Sequence, residues 1–308
     1  MINGKQPAIK YLALTELLGR AASDPVVESA RESIPNVGWC AKILREQKPG
    51  GWWVSEQSLS RPKYTATYWM LLMLADLGLT RAEPRVEKAC QLWIERSSKN
   101  DGGFGYDRAR TSEMCITGST ARALIRFGYV DHPRVKSAIE WLLRDQKENG
   151  GWRCGWRNGI IDGWEALSAF EAYPRQKWSR RIKKAVEDGA EFYLSRELHK
   201  EGKPYGPWYR FHYPTHYYYD ILVGLDLLTA LGYGTDRRLC YALTLLKNKR
   251  RSDGRWNLDA VHPDLEGKIA ELYAMNPPIP YTLEDVGRPS LMITLRALRV
   301  LGRAESES

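Results

Sequence analysis

The sequence predicts an all-α chain: an α/α-toroid, a closed double ring of about six helical hairpins with inner and outer helices. Three observations predict it. A Gly-aromatic turn recurs along the chain. Each turn lies between an amphipathic helix and a helix that is apolar over most of its circumference. The first and last apolar segments each lack a neighbour in sequence, and closing the ring supplies one.

Four turns carry the repeat: Lys48-Pro49-Gly50-Gly51-Trp52, Asn100-Asp101-Gly102-Gly103-Phe104, Glu148-Asn149-Gly150-Gly151-Trp152 and Ser252-Asp253-Gly254-Arg255-Trp256. The first three are spaced by about 50 residues, a period typical of stacked supersecondary units. A degenerate copy, Gly202-Lys203-Pro204-Tyr205-Gly206-Pro207-Trp208, fills the longer gap before the fourth.

The outer helices are read at Val86–Arg96, Val135–Gln146 and Arg238–Lys249. In the second, Val135, Ile139, Leu142 and Leu143 share one stripe with polar residues opposite. The inner helices are read at Tyr64–Leu77, Cys115–Phe127, Gly163–Tyr173, Thr215–Leu231 and Ser290–Leu301, with Ile9–Leu18 at the N-terminus. Gly78, Gly128, Gly232 and Gly302 follow as left-handed caps. Pro84 and Pro133 open the next outer helices. The reading is one domain over residues 1–308, with a disordered polar tail at about 304–308.

Composition narrows the class. The chain has 308 residues, 43% hydrophobic and 27% charged, enough apolar content for a sizeable core. Its 12 Trp and 17 Tyr against 5 Phe favour aromatic groups with a polar handle, which suit cavity walls. The net charge of +9 sits in runs such as Arg180–Lys184 and Lys247–Arg251. These read as a solvated outer face, and with no nucleic-acid motif beside them nucleic acid is not an expected partner. Five cysteines without a CxxC pair read as reduced thiols of a cytoplasmic protein. No apolar stretch reaches the length of a membrane span, which leaves peripheral membrane contact open.

Gln146-Lys147-Glu148-Asn149-Gly150-Gly151-Trp152, preceded by leucines, is the fullest copy of the turn. It resembles the repeat of squalene-hopene-type cyclases and protein prenyltransferase β-subunits, the terpenoid cyclase and prenyltransferase superfamily. The resemblance runs from about Gly38 to Leu301 and is specific to the fold, not to one activity. It implies a central cavity for an isoprenoid-type apolar substrate. In prenyltransferases it also implies a helical partner subunit, which the residues here leave undecided.

Three signatures of that superfamily were sought. The DxDD run of class II cyclases is absent; Asp259 with Asp264, and Glu284-Asp285, have other spacings. The DDxxD cluster that holds magnesium is absent, and Asp220 and Asp226 stand apart, so magnesium is not indicated. The zinc site of prenyltransferases needs an Asp-x-Cys pair and a His. Asp162 matches the Asp, Trp164 stands where the Cys belongs, and His216 matches the His. Two of three ligands do not close a zinc site. Cys154, nearby, is the one substitute, so the metal candidates are Asp162, His216 and Cys154, with zinc an outside expectation. Arg153 and Arg157 lie near the loop that holds diphosphate in prenyltransferases, and are read equally as forked anion donors or as surface arginines.

The inner-helix N-termini of such a ring point toward one end of its cavity. That places Tyr64, Thr65, Glu113, Cys115, Asp162, Trp164, His216, Tyr217, Tyr219 and Asp220 around one mouth. Asp162 and His216 are the candidate acid–base pair. Tyr64, Cys115, Trp164, Tyr217, Arg153 and Arg157 are the candidate substrate-binding residues, the aromatic faces among them suited to stabilise a carbocation. Plainer roles stand beside these. Asp162 also suits the N-cap of its helix, His216 a satisfied core position, and Cys115 a small buried hydrophobe. Whether the protein is catalytic stays open. A scaffold binding a protein or peptide, and a carbohydrate-active toroid using Asp162 and Glu113, are the alternatives.

Overall fold

The computed structural model describes residues 1–107, 109–153, 160–267, 271 and 278–306. Helices dominate them. In chain order these are α1 (Pro7–Leu12, continued by a π-helical turn Ala13–Leu17), α2 (Pro25–Ser33), α3 (Gly38–Arg45), α4 (Thr67–Asp76), α5 (Pro84–Ser97) and α6 (Met114–Arg126). Then come α7 (Pro133–Asp145), α8 (Glu165–Ala172), α9 (Arg180–Leu194), α10 (Ile221–Leu231), α11 (Cys240–Asn248) and α12 (Leu291–Ser306). A two-strand antiparallel ribbon pairs β1 (Trp256–Asn257) with β2 (Pro289–Ser290).

The two layers follow from the hydrophobic pattern. In α4 every residue except Asp76 is buried, and α6 and α10 are buried over most of their length. In α5, α7 and α9 the buried residues fall on one face. The inner helices pack in sequence: α4 on α6, α6 on α8, α8 on α10, α10 on α12 and α12 on α1. The ring closes where Arg296 of α12 reaches Asp76 of α4 at 3.5 Å, and where Tyr11 and Leu12 of α1 pack beside Gly78 at the end of α4. The fold is therefore the α/α-toroid.

The closest inner contact is α6 on α8, and Gly118 permits it. A Cβ there would lie 2.5 Å from the backbone carbonyl carbon of Glu165.

The repeat turn has one hydrogen-bond design. Trp53, Trp152 and Trp256 are buried, and each indole N–H donates to the carbonyl ten residues earlier, on Ile43, Leu142 and Leu246, at 2.7, 2.9 and 2.7 Å. The backbone N–H of Trp53, Phe104 and Trp256 donates to a threonine hydroxyl in the next inner helix: Thr67, Thr117 and Thr294. Gln47 and Gln146 each donate to the carbonyl four residues on and to a carbonyl of the following outer helix, Arg85 and Ala185. The turn thus ties outer helix, inner helix and next outer helix together.

This fixes the register of the first copy one residue later than the sequence suggests. The left-handed glycines are Gly51, Gly102, Gly150 and Gly254. Trp53, two residues after Gly51, therefore matches Phe104, Trp152 and Trp256, while Trp52 is only half-buried. The Gly-Gly pair misleads because either glycine satisfies the pattern, and only one takes the positive φ.

Other boundaries also differ. Gly78, Gly128 and Gly232 have φ of 81, 94 and 97° as expected of caps, but α12 runs through Gly302 to Ser306. The helix thus continues into residues read as a polar tail. Two inner helices start later than the hydrophobic pattern suggests, α4 at Thr67 and α10 at Ile221. The aromatic residues ahead of them, Tyr64 and Tyr217–Tyr219, belong to connecting segments. Among the described residues no helix is long and apolar enough to cross a membrane.

Candidate functional site

The late starts of α4 and α10 build the site. Tyr64 and His216 each take a left-handed backbone conformation, with φ of 73 and 47°. Non-glycine residues seldom adopt it, and it concentrates where a side chain must be aimed. Here the two rings stack at 4.8 Å between centroids, and the Trp69 ring meets His216 edge-on at 5.3 Å.

A segment distant in sequence completes the cluster. The ribbon β1–β2 leads into a single 3-10 turn, Pro263–Leu265, that carries His262 and Asp264 against Tyr64. One oxygen of Asp264 accepts three bonds: from Tyr64 at 2.6 Å, Tyr217 at 2.5 Å and the Lys63 ammonium at 2.9 Å. The Tyr64 hydroxyl also lies 2.9 Å from His262 Nδ1. Lys63 reaches the Tyr217 hydroxyl at 2.9 Å. Asp264 and Lys63 are 4% and 7% exposed at their side chains, so this is a buried ion pair with its oxygen saturated by phenols.

A third histidine stands beside them. His212 Nδ1 lies 2.6 Å from Asp220, whose other oxygen caps α10 through Val223 N–H at 2.8 Å. Asp220 therefore fixes the His212 ring and starts the helix at once.

Burial, with His212 alongside, lowers the His216 pKa to about 3. Burial also lowers that of His262, helped by His216, His212 and Lys63. Both are neutral imidazoles at physiological pH. His216 Nδ1 and His262 Nε2 are buried and have no hydrogen-bond partner among the described residues. Burial pushes the Tyr217 hydroxyl well above the usual phenol range, with Tyr64 and Asp264 adding to it.

Beneath this cluster lies the axial cavity, of about 110 Å³. Trp164 belongs to both: its indole donates to the Tyr217 carbonyl at 3.2 Å, and its face lies 5.1 Å from the Arg122 guanidinium on the cavity wall. The wall is not the apolar surface that an aromatic-rich sequence leads one to expect. Arg122, Arg126, Arg296, Arg299 and Arg303 line it with Glu16, Glu171 and Asp226. Behind it, burial works against the Asp76 carboxylate, yet Arg122, Arg126, Arg296 and Arg299 hold its pKa below the usual range.

The structure thus gathers Tyr64, Trp164, His216 and Tyr217. Asp162 is held elsewhere: its carboxylate accepts the Trp208 indole N–H at 2.9 Å. It does not cap α8, whose N-cap is Trp164. Cys115 is half-buried near the Tyr68 phenol, and Arg153 is exposed. Cys154 and Arg157 lie outside the described residues. Among the described residues no three His, Cys, Asp or Glu side chains come together as metal ligands, and those described do not form a zinc set. Sequence reasoning missed Lys63, Trp69, His262 and Asp264 as partners of the site. It also missed the cavity arginines, whose signal was a charge inside an otherwise apolar helix, as at Arg122 and Arg296.

The toroid is a fold shared with known proteins of the terpenoid cyclase kind. The chain resembles the terpenoid cyclase superfamily in sequence and in fold. A segment of 136 residues, 41% of the chain, is 28% identical to squalene–hopene cyclase of Bradyrhizobium diazoefficiens, covering 20% of that enzyme. Over 70 residues, 22% of the chain, it is 37% identical to terpentedienyl-diphosphate synthase of Kitasatospora griseola, covering 14% of it. The chain thus matches at most about a fifth of the length of these curated relatives. Among solved structures, the type II terpene cyclase MstE of Scytonema superposes with a TM-score of 0.51 at 15% identity, over 97% of this chain and 87% of that one. A variant of MstE in complex with geranylgeranyl dihydroxybenzoate gives 0.50 at 15% identity, over 98% and 87%. No family model matches the chain.

Proposed function

We propose that the protein binds and transforms an isoprenoid-type substrate at the axis of the ring, as a terpenoid-cyclase-like enzyme. The observation that carries this reading is the shared position of Trp164. It joins the cluster of Tyr64, Trp69, His216 and Tyr217 to the wall of the cavity. Aromatic faces around a confined chain stabilise developing positive charge through their quadrupoles. A buried neutral imidazole with a bare ring nitrogen can accept a proton. His216 takes that part in this reading. Asp162, the other residue read as moving protons, accepts the Trp208 indole N–H instead. Asp264 is committed to Lys63 and two phenols, which suits it to fixing Tyr64 and Tyr217.

The relatives add to this. One is a squalene–hopene cyclase, and a solved neighbour is a type II terpene cyclase in complex with a geranylgeranyl compound. The alternative is a toroid that holds such a ligand without converting it. The absence of a DxDD run in the sequence favours that second reading.

The test is native mass spectrometry of the purified chain with squalene, farnesol and geranylgeranyl diphosphate, followed by product analysis and metal content. Retention by the wild type that is lost in Trp164→Ala supports binding. A cyclised product that disappears in His216→Phe supports catalysis. Retention without product moves the assignment to the binding scaffold. A folded protein that neither retains nor converts any of the three sinks the proposal. Stoichiometric zinc lost in Asp162→Ala would instead favour a prenyltransferase-like site.

A further inference from the structure

The four repeat turns place a basic residue at one shared position. The backbone carbonyls of Lys48, Lys99, Lys147 and Arg251 each accept the N–H of the left-handed glycine three residues on, Gly51, Gly102, Gly150 and Gly254. Three of the four side chains behave as surface bases do. Lys48 is exposed, Lys147 pairs with Asp145 at 2.8 Å, and Arg251 pairs with Asp253 at 3.3 Å. Lys99 is the exception. It is 8% exposed, and its amine makes no hydrogen bond or ion pair among the described residues. Burying an amine in that condition is costly, and the repeat does not require it.

Gly105 admits the side chain. A Cβ there would lie 2.9 Å from Lys99 Cε and 2.4 Å from the Thr111 carbonyl oxygen. The end of Lys99 therefore lies against the segment that leads into α6. Three carboxylates act on it, Asp107, Glu113 and Asp101. Two of them are engaged elsewhere. Asp107 accepts the Leu59 N–H at 3.0 Å and the Ser60 hydroxyl at 2.7 Å, and Asp101 accepts the Ser112 N–H at 3.2 Å and its hydroxyl. Glu113 stands at the N-cap of α6, yet its side chain makes no cap bond. Burial lowers the Lys99 pKa, against the pull of Asp107, Glu113 and Asp101. Burial raises that of Glu113, against the Tyr106 N–H, Lys99 and Arg61. The two groups are thus pushed toward a neutral amine and a neutral acid, side by side.

An anion is a poor ligand for this amine, because carboxylates already stand around it. A neutral electrophile suits it, since a desolvated lysine amine attacks carbonyl carbon. We propose that Lys99 and Glu113 form a second site, apart from the His216 cluster, where Lys99 takes an aldehyde as an imine and Glu113 supplies the proton. Lys99 Nζ attacks the carbonyl carbon, and a proton passes from nitrogen to oxygen to give the carbinolamine. Its C–O bond then breaks, Glu113 gives its proton to the departing hydroxyl, and water leaves. A protonated imine remains beside the Glu113 carboxylate. The step needs no oxidant or reductant. The site is independent of the isoprenoid reading.

The test is reaction of the full chain with hexanal and sodium cyanoborohydride, which reduces an imine to a stable secondary amine, read by peptide mass mapping. Lys99 should be labelled about tenfold faster than Lys147, its counterpart in the next turn, the scale of one unit of pKa. Lys99→Arg keeps the charge and should remove that label while the other lysines keep theirs. Glu113→Gln should slow labelling of Lys99 about a hundredfold, the lower end of general acid catalysis, and flatten its dependence on pH. Thermal melting establishes that each variant is folded. Labelling spread over the exposed lysines with Lys99 untouched overturns the inference. Labelling of Lys99 whose rate and pH profile Glu113→Gln leaves unchanged overturns the part given to Glu113.

Discussion

The Tyr64 hydroxyl donates to the Asp264 carboxylate at 2.6 Å across 200 residues of sequence, and the same oxygen receives the Lys63 ammonium. Two connecting segments that hydrophobic periodicity does not reveal are locked together by one buried charge pair. Removing one partner of such a pair leaves the other charge stranded, which typically costs about 3–5 kcal/mol. Asp264→Ala should lower the unfolding free energy by about that much, read from urea denaturation. Lys63→Met combined with Asp264→Leu should restore most of it. A single variant as stable as the wild type would show that the pair is not sustained.

Stability should fall with acid, through the histidines. Burial lowers the folded-state pKa of His216 from the ordinary 6.5 to about 3, and it lowers that of His262 as well. Above about pH 6.5, the ordinary histidine value, neither state binds these protons and the two residues contribute nothing to the slope. Below it the unfolded chain takes up protons that the folded chain refuses. Each histidine then costs about 1.4 kcal/mol per pH unit, down to its own folded pKa. Urea midpoints at pH 7.5, 6.5 and 5.5 measure the slope. His216→Phe should flatten it, and an unchanged slope would remove His216 as a source.

The register of the first turn is open to a direct comparison. Trp53 is buried and bonded to the Ile43 carbonyl, while Trp52 is half-buried. Trp53→Ala should cost about 3–5 kcal/mol, in the range for deleting a buried aromatic side chain. Trp52→Ala should cost markedly less. The reverse order would restore Trp52 as the repeat residue.

Gly118→Ala sets two effects against each other. Alanine gains about 1 kcal/mol of helix propensity over glycine. Its Cβ would sit 2.5 Å from the Glu165 carbonyl carbon, and that neighbour is backbone. Overpacking typically costs about 1–3 kcal/mol, and here no flexible side chain can move away, so the loss should win. A melting temperature at or above the wild-type value would mean that α6 and α8 separate freely.

Much of this was legible in the residues themselves. The Gly-aromatic turns, the proline starts at Pro84 and Pro133, and the caps at Gly78, Gly128 and Gly232 follow from backbone chemistry that acts within a few residues. The alternation of amphipathic and wholly apolar helices gives two layers. Tyr64, Trp164, His216 and Tyr217 were readable as neighbours because helix order places their segments at one end of the ring.

By itself, then, the sequence determined the toroid and the segments from which its site is drawn, because local periodicity and turn chemistry are short-range. Only the tertiary structure decided that Asp264 and His262 meet Tyr64, that Asp162 turns to Trp208, and that the cavity wall is arginine. The physical reason is the same in each case. A buried charge or polar group takes its partner from wherever the closed chain brings one, here 220 residues away between Asp76 and Arg296, and no periodicity records that choice.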